Sequence, residues 1–281
     1  MNLSEMTIGI IGGGTVGAAT AKSLIEHVKE VRIYDTDPKK SNRRAVDALE
    51  SDLVFICLPT PQKDGSSLEC DISALDTFFD LKLFNLKPHL LDGNFVLKST
   101  VPIGTTRMLR DKYHLPNLVH SPEFLTARCA ATDAHCPTRN IIGVPGGWFK
   151  AGGCGDLLET FLAQRFPGVQ TLKMSSDESE AVKLFQNGFF ATKIAYFNEV
   201  RTLADKLGLD WEAVMGGILA DGRIAHSHTK VPGHDGLRGF GGKCLRKDLA
   251  SLINCFSSAG LMAPVALAAY IRNKEIDRKE E

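Results

Sequence analysis

The sequence predicts an α/β protein: a doubly wound, mostly parallel sheet followed by a helical region. Three observations predict it. Short apolar runs at 7–11, 31–34 and 53–58 alternate with stretches whose apolar residues recur at helical spacing, the pattern of β-α-β units. A G-x-G-x-x-G segment, Gly12-Gly13-Gly14-Thr15-Val16-Gly17, follows the first run at once. After Met174 the texture turns helical and strand patterns cease. The expected division is therefore a first domain at 1–174 and a second, helical one at 175–281.

Composition narrows the class. A chain of 281 residues has ample capacity for one large core or two smaller ones. Its 33 basic residues balance 33 acidic ones and form no long run, which argues against nucleic acid or an anionic membrane as the main partner. Seven irregularly spread cysteines suggest reduced thiols and a cytoplasmic protein. The first strand begins within a few residues of Met1, leaving no room for a signal peptide. The apolar stretch 261–271 is too short to span a bilayer and contains Pro264.

Taken in order, the run at 7–11 is a buried strand and 18–28 the helix after the glycines. Gly12, Gly14, Thr15, Val16 and Gly17 permit the tight turn and let a pyrophosphate approach the helix N-terminus. The second strand, 31–34, ends in Asp35, about 20 positions on, where a carboxylate suits the ribose hydroxyls of NAD and repels a 2′-phosphate. This is the Rossmann-type signature; a strand-turn-helix without nucleotide is the alternative. One short helix fits before the strand at 53–58, which ends in Cys57-Leu58-Pro59-Thr60-Pro61. Ligands bind at the carboxyl ends of such strands. Cys57 reads as a buried strand residue rather than a reactive thiol.

Strands at 95–98 and 118–120 lead into Ser99-Thr100-Val101-Pro102 and Ser121-Pro122-Glu123-Phe124-Leu125. The final strands are expected at 140–144 and 170–174, with a helix at 156–166 between them. Cys129, His135, Cys136 and Cys154 lack any Cys-x-x-Cys pair and fit no common zinc spacing, so no metal is expected.

Ser175-x-x-Glu178 is a capping box that opens a long helix to about 207, stopped by Gly208. Lys183 and Asn187 share one of its faces. They are either an ordinary solvated pair or ligand groups. Gly188 favours close packing or ligand approach, because a mid-helix glycine costs about 1 kcal/mol against alanine. A helix at 211–220 follows. His226, His228 and His234 share no helical face and read as loop residues.

The stretch with most chemistry is Gly239-Phe240-Gly241-Gly242-Lys243-Cys244-Leu245-Arg246-Lys247-Asp248. Its three glycines allow a backbone to approach a ligand closely. Cys244 opens a helix running to about 259, so the helix dipole and Lys247 both favour its thiolate. Asp248 lies one turn on and can take or deliver a proton. A glycine-rich turn capping an ordinary helix with a buried cysteine fits as well. The last helix follows Pro264.

This segment resembles the cysteine segment of the UDP-glucose/GDP-mannose dehydrogenase family, GFGGxCxPKD, with Arg246 where many members have proline. The Pro59-Thr60-Pro61 stretch with Asp64-Gly65, the STVPxGTT stretch from Ser99, PEFL from Pro122, the AExxKxxxN helix from Ser179 and the DxRIG-like Asp221-Gly222-Arg223-Ile224 resemble family segments in the same order. The resemblance implies NAD as cofactor, bordered also by Lys40, Pro59, Thr60, Thr100 and Lys247. Lys40 is equally readable as a solvated lysine. It implies a sugar-nucleotide substrate held by Glu123, Phe124, Leu125, Lys183, Asn187, Phe240 and Gly241, and by Arg223, often from the partner subunit.

In such a family Cys244 forms a thiohemiacetal and then a thioester, through two hydride transfers at the C6 alcohol of a UDP-sugar, UDP-glucose foremost. Lys183 and Asn187 stabilise the oxyanion, and Asp248 with Thr100 manages protons. Relatives continue PEFLxEG with a second glutamate assigned to thioester hydrolysis; Ala127 occupies its place here. The region between Asp35 and the third strand is abbreviated. The chain ends within what would be the helix connecting to a further carboxy-terminal domain. A homodimer built on the long helix is expected, because its length exceeds what one small domain covers. Competing readings are a 3-hydroxy-acid dehydrogenase of the 6-phosphogluconate type, a non-catalytic NAD-binding partner or sensor, and an enzyme that stops at the aldehyde.

Overall fold

The computed structural model describes residues 1–64, 67–81, 87–146, 153–242 and 244–279. Gly65 and Lys243, which belong to two of the motifs, lie outside the described residues. The chain forms two compact units, Met1–Thr60 with Asp71–Lys183 and Pro61–Cys70 with Leu184–Glu281. Against an expected boundary after Met174, the division falls after Lys183, inside the long helix.

The first unit is built on a seven-stranded sheet: β1 (Thr7–Ile11), β2 (Glu30–Tyr34), β3 (Leu53–Ile56), β4 (Phe95–Leu97), β5 (Leu118–His120), β6 (Asn140–Val144) and β7 (Thr171–Ser175). The strand order is β2-β1-β3-β4-β5-β6-β7. From β2 through β5 neighbours run parallel, as the alternating pattern requires. The last two strands depart from that direction: β6 pairs antiparallel to β5 at His120 and Gly143, and β7 runs parallel to β6.

Alternate residues of the central strands feed two cores, the consequence of period-2 side chains in a sheet covered on both faces. Ile8, Ile10, Phe55, Val96 and Val119 pack with Leu24 of α1 (Thr15–Leu24) and with Leu158 and Phe161 of α6 (Cys154–Arg165). Val54, Ile56, Phe95 and Leu97 pack with Leu49 of α2 (Ala45–Leu49), Phe79 of α3 (Ser73–Phe79) and Leu109 of α4 (Thr105–Tyr113). Helix α1 begins three positions before the expected 18, directly off the glycine turn. It ends at Leu24 because the chain then turns to bring the Lys29 N–H onto the Met6 carbonyl at 2.9 Å. Helix α5 (Ala130–His135) follows the PEFL stretch.

Helix α7 (Ser176–Lys206) opens at β7 with the expected capping box. The Glu178 carboxylate accepts from Ser175 N–H at 2.7 Å, and the Ser175 hydroxyl accepts from Glu178 N–H at 3.2 Å. Because β7 runs against β5, this helix starts at the opposite strand ends and climbs back toward the carboxyl ends of β1–β5. Gly143 of β6 permits the climb: a Cβ there would lie 2.5 Å from the Cβ of Ser179.

The second unit contains the rest of α7, then α8 (Trp211–Leu219), α9 (Cys244–Ser258) and α10 (Pro264–Arg272). A π-turn, Asn273–Asp277, ends α10. Ala191 and Ala195 pack with Phe240, Leu249, Ile253 and Tyr270. Phe197, Ala204, Trp211 and Met215 form a second cluster. Close packing explains Gly188, since a Cβ there would lie 2.5 Å from Leu252 Cδ2 of α9. Among the described residues no helix is long and apolar enough to cross a membrane.

Candidate active site

The glycine turn after β1 has the form a dinucleotide needs. Gly12 adopts φ 97°, and a Cβ on it would lie 2.6 Å from the Cys57 carbonyl oxygen. Gly17 packs directly on Gly12. Gly14 has nothing within 4 Å of its Cβ position, leaving its backbone open at the head of α1. Asp35 directly follows β2 beside this turn and accepts hydrogen bonds from Asp37 N–H at 2.8 Å and Gly13 N–H at 2.7 Å. The Asp37 N–H chiefly, with Gly13 and Lys40 adding, holds its carboxyl below the usual range, so it stays ionised. Lys40 is exposed and pairs with Asp37 at 3.4 Å. A turn open at Gly14, flanked by an ionised carboxylate, fits NAD: the backbone of Thr15 and Val16 at the head of α1 would face a pyrophosphate and Asp35 the ribose hydroxyls.

Two loops beyond the turn are tied to each other. The Thr60 hydroxyl donates to the Thr100 carbonyl at 2.7 Å, and the Ser99 hydroxyl to the Leu58 carbonyl at 2.6 Å. Pro59 is exposed while Thr60 is buried. Cys57, at the end of β3, is not a reactive thiol: burial pushes it up to about 12.

The first part of α7 fastens the same region. Fully buried His120, at the end of β5, meets the Ser179 hydroxyl at 2.8 Å through Nδ1, and burial pushes its imidazole down to about 3, keeping it neutral. Glu180 accepts at the head of α4 from the N–H groups of Gly104 and Thr106, at 2.5 and 2.7 Å, and from the Thr106 hydroxyl at 2.5 Å. Sequence reasoning gave neither residue a role. Glu180 lay in a quoted motif; nothing around His120 distinguished it.

Lys183, one turn further along α7, is 4% exposed and donates to the backbone carbonyl of Glu123 at 2.7 Å. It also pairs with the Glu123 carboxylate at 3.0 Å, whose second oxygen accepts from Leu125 N–H at 2.5 Å. Phe124 lies beneath two cations, the Arg139 guanidinium at 4.0 Å and Lys183 at 5.4 Å from its ring centre. Three expected substrate residues, Glu123, Phe124 and Leu125, are thus gathered around one buried lysine. Behind them lies a cavity of about 220 Å³, walled in part by Phe55, Lys98, Asp133 and Phe166. Lys98 donates there to the Ser121 carbonyl at 3.2 Å, and burial lowers its ammonium below the ordinary range.

In the second unit, buried Asn187 donates to the Asp248 carboxylate at 2.6 Å. The other oxygen of Asp248 faces the ammonium of Lys247 at 2.7 Å. Lys247 is therefore beside a carboxylate, not simply beside the thiol. Cys244 is exposed at the first position of α9, one turn before Asp248. That excludes the buried-cysteine alternative. Phe240 is buried at 3% exposure in the preceding loop. Arg223 is exposed and folds back on Asp221, Nε to Oδ1 at 2.9 Å. Among the described residues no group of three or more His, Cys, Asp or Glu side chains is placed to hold a metal ion.

The structure thus gathers the expected residues into three groups: Gly12, Gly14, Gly17 and Asp35; Glu123, Phe124, Leu125 and Lys183; and Asn187, Lys247 and Asp248 below Cys244. Chemically these are a dinucleotide turn, a buried ammonium, and a carboxyl–amide pair one turn below an exposed thiol.

Comparison with known proteins agrees in both units. The family model described as UDP-glucose/GDP-mannose dehydrogenase family, NAD binding domain, matches residues 41–146, and that family's central domain matches 177–275. UDP-glucose 6-dehydrogenase of Campylobacter jejuni is 33% identical over 229 residues, 82% of this chain and 54% of that protein. UDP-glucose 6-dehydrogenase of Streptococcus pneumoniae is 30% identical over 279 residues, 88% of this chain and 68% of that protein. The chain thus spans between about half and two thirds of the relatives it matches. The structure of a UDP-glucose dehydrogenase from Pyrobaculum islandicum superposes with a TM-score of 0.79 at 24% identity, covering 97% of this chain and 68% of that one, a likeness of fold. With its glycine turn, lysine–asparagine helix and exposed cysteine in family order, the chain belongs to the UDP-glucose/GDP-mannose dehydrogenase family.

Proposed function

We propose that the chain carries the catalysis of an NAD-dependent nucleotide-sugar 6-dehydrogenase, oxidising the C6 alcohol of a UDP-sugar, UDP-glucose foremost, to the carboxylate. One observation carries this reading: an exposed cysteine heads a helix whose next turn holds a carboxylate bonded at 2.6 Å to Asn187. A fold-level likeness alone does not demand a nucleophile there.

Bound NAD supplies the hydride acceptor. The residues of the chain do the rest. Asp248 accepts the hydroxyl proton as the C6 alcohol becomes an aldehyde. The Cys244 thiolate adds to the aldehyde carbon, forming a C–S bond and an alkoxide that is protonated to the thiohemiacetal. Asp248 takes the thiohemiacetal hydroxyl proton as a second hydride leaves that carbon for a second equivalent of NAD, giving the thioester, and water cleaves it to the carboxylate and free thiol. Lys183 and the Asn187 amide stabilise the oxygen as charge develops, the lysine by charge and the amide by donation. The Glu123 partnership keeps Lys183 placed before substrate arrives. Exposed Arg223, folded back on Asp221, is read as a substrate contact for a partner subunit.

The partner is a second copy. Phe185, Phe189, Tyr196 and Leu203 on α7, with Leu207 just past its end, are 54 to 62% exposed and lie four or seven positions apart. Such a stripe on one helix suits burial against its own equivalent. The protein is read as cytoplasmic, in keeping with its seven free cysteines.

The test is stoichiometric. Two NADH per UDP-glucose are expected, with Cys244→Ser unable to form the second. One NADH per sugar with an unaltered Cys244→Ser variant would instead indicate a simple alcohol dehydrogenase.

A further inference from the structure

The glycine loop before Cys244 was expected to need its glycines for a ligand. The structure gives two of them another cause. Gly239 adopts φ 67°, and a Cβ on it would collide with Asn273 Oδ1 and lie 2.8 Å from Asp277 Cβ. A Cβ on Gly241 would lie 2.6 Å from Arg278 Nη1. Only Gly242, at φ 75°, has open space around it. The loop is drawn down onto the segment that follows α10.

That segment grips it by the backbone. The Asn273 side chain, 3% exposed, accepts from Phe240 N–H at 2.8 Å and donates to the Phe240 carbonyl at 3.0 Å. One amide thereby satisfies both polar groups of a buried residue, as a neighbouring strand would. Asn198 of α7 accepts from Gly239 N–H at 3.0 Å. Arg278, 7% exposed, donates through Nε to the Arg238 carbonyl at 2.6 Å and pairs with Asp235. The π-turn explains how Asn273 and Arg278 reach the same loop. Its closing bond runs from Arg278 N–H to the Asn273 carbonyl at 2.8 Å, so residues five apart stack on one side. In an α-helix that spacing would point them some 140° apart.

We propose that Asn273 is a positioning residue for Cys244: with Arg278, it fixes the Arg238–Gly241 backbone and hence the orientation of the thiol at the head of α9. The role of Cys244 as nucleophile is the reading proposed above, and this inference deepens it. A loop held at three consecutive residues, Arg238 to Phe240, keeps the first turn of α9 in register, where the helix N–H groups stabilise a thiolate. Misplacement of about 1 Å in such a site costs on the order of 10²-fold in rate.

The experiment measures the thiol directly. Cys244 alkylation by iodoacetamide is followed from pH 6 to 10 by peptide mass spectrometry in the full chain, with exposed Cys129 and Cys136 of the first unit as internal references. Asn273→Ala is expected to slow Cys244 by about tenfold at pH 7 and move its midpoint upward. The two reference rates, and the KM for NAD, stay put while kcat falls. Asn273→Asp, which keeps the acceptor for Phe240 N–H and loses the donor, should fall between. Exposed Lys274→Ala should match the unsubstituted protein. An unchanged Cys244 rate and midpoint in Asn273→Ala overturns the proposal. If that variant does not fold, unchanged values in Asn273→Asp overturn it equally. Absence of NADH from every UDP-sugar with the unsubstituted protein would sink the activity reading alone, and the alkylation comparison would still decide the clamp.

Discussion

The Glu180 carboxylate and Thr106 are joined twice, N–H to Oε1 at 2.7 Å and hydroxyl to Oε1 at 2.5 Å, in a site where Glu180 is 1% exposed. Burial pushes the Glu180 carboxyl up to about 7, and the donors from Thr106 and Gly104 only partly oppose it. A folded-state value above the ordinary one means that the folded protein binds the proton more tightly. Its stabilising contribution is complete below about pH 4.5 and is lost as pH rises through about 7. Urea unfolding between pH 5 and 8 should therefore show stability falling with pH, by at most about 1.4 kcal/mol per unit from this group. Glu180→Gln should flatten that slope. An identical slope in the variant would remove Glu180 as its source.

Asp35 predicts cofactor choice. Its ionised carboxylate beside the glycine turn opposes the extra phosphate of NADP, and a repulsion of about 1–2 kcal/mol corresponds to a preference for NAD of roughly tenfold or more. Asp35→Ser should narrow the gap, mainly by improving NADP. Equal dissociation constants for the two cofactors in a titration of the unsubstituted protein would contradict this.

The stripe on α7 predicts association. A dimer is expected at micromolar concentration in sedimentation equilibrium. Phe189→Glu, placed on an exposed position of the stripe, should shift the protein toward monomer without loss of helicity. A monomer from the unsubstituted chain would reject the assignment.

Ala127 predicts the slow step. If relatives use a glutamate at this place to activate hydrolytic water, Asp248 serves alone here. Acid–base assistance is typically worth 10²–10⁴-fold, so thioester breakdown should lag behind both hydride transfers. Turnover should begin with a burst of NADH while Cys244 accumulates as an acyl adduct visible by intact-protein mass spectrometry. Ala127→Glu should shorten the slow phase. Efficient turnover with neither burst nor adduct would require another group for hydrolysis.

What was legible in the sequence was local. The glycine turn with Asp35, the Ser175–Glu178 box and the packing need of Gly188 each depend on residues within a few turns, or on one close neighbour. The reversal of β6 and β7 was not legible, because an apolar run at 140–144 carries no direction; pairing with His120 decides it. Nor could the loop glycines disclose their cause, since Asn273 and Arg278 lie more than thirty residues on and converge only through a π-turn. Lys183 was found through its motif. Its neighbour Glu123, sixty residues earlier and also expected at the substrate, pairs with that lysine, a contact no local pattern announces.

Gly143 bears on how function is read from variation. It touches no expected ligand, yet any side chain there meets Ser179, one residue before Glu180 and four before Lys183. Larger residues would lift the start of α7 from the sheet and carry the lysine with it. A saturation survey scored on activity alone would rank this strand glycine beside the nucleophile. Scoring the same library for abundance as well would separate them, because Cys244 variants should accumulate normally and Gly143 variants should not.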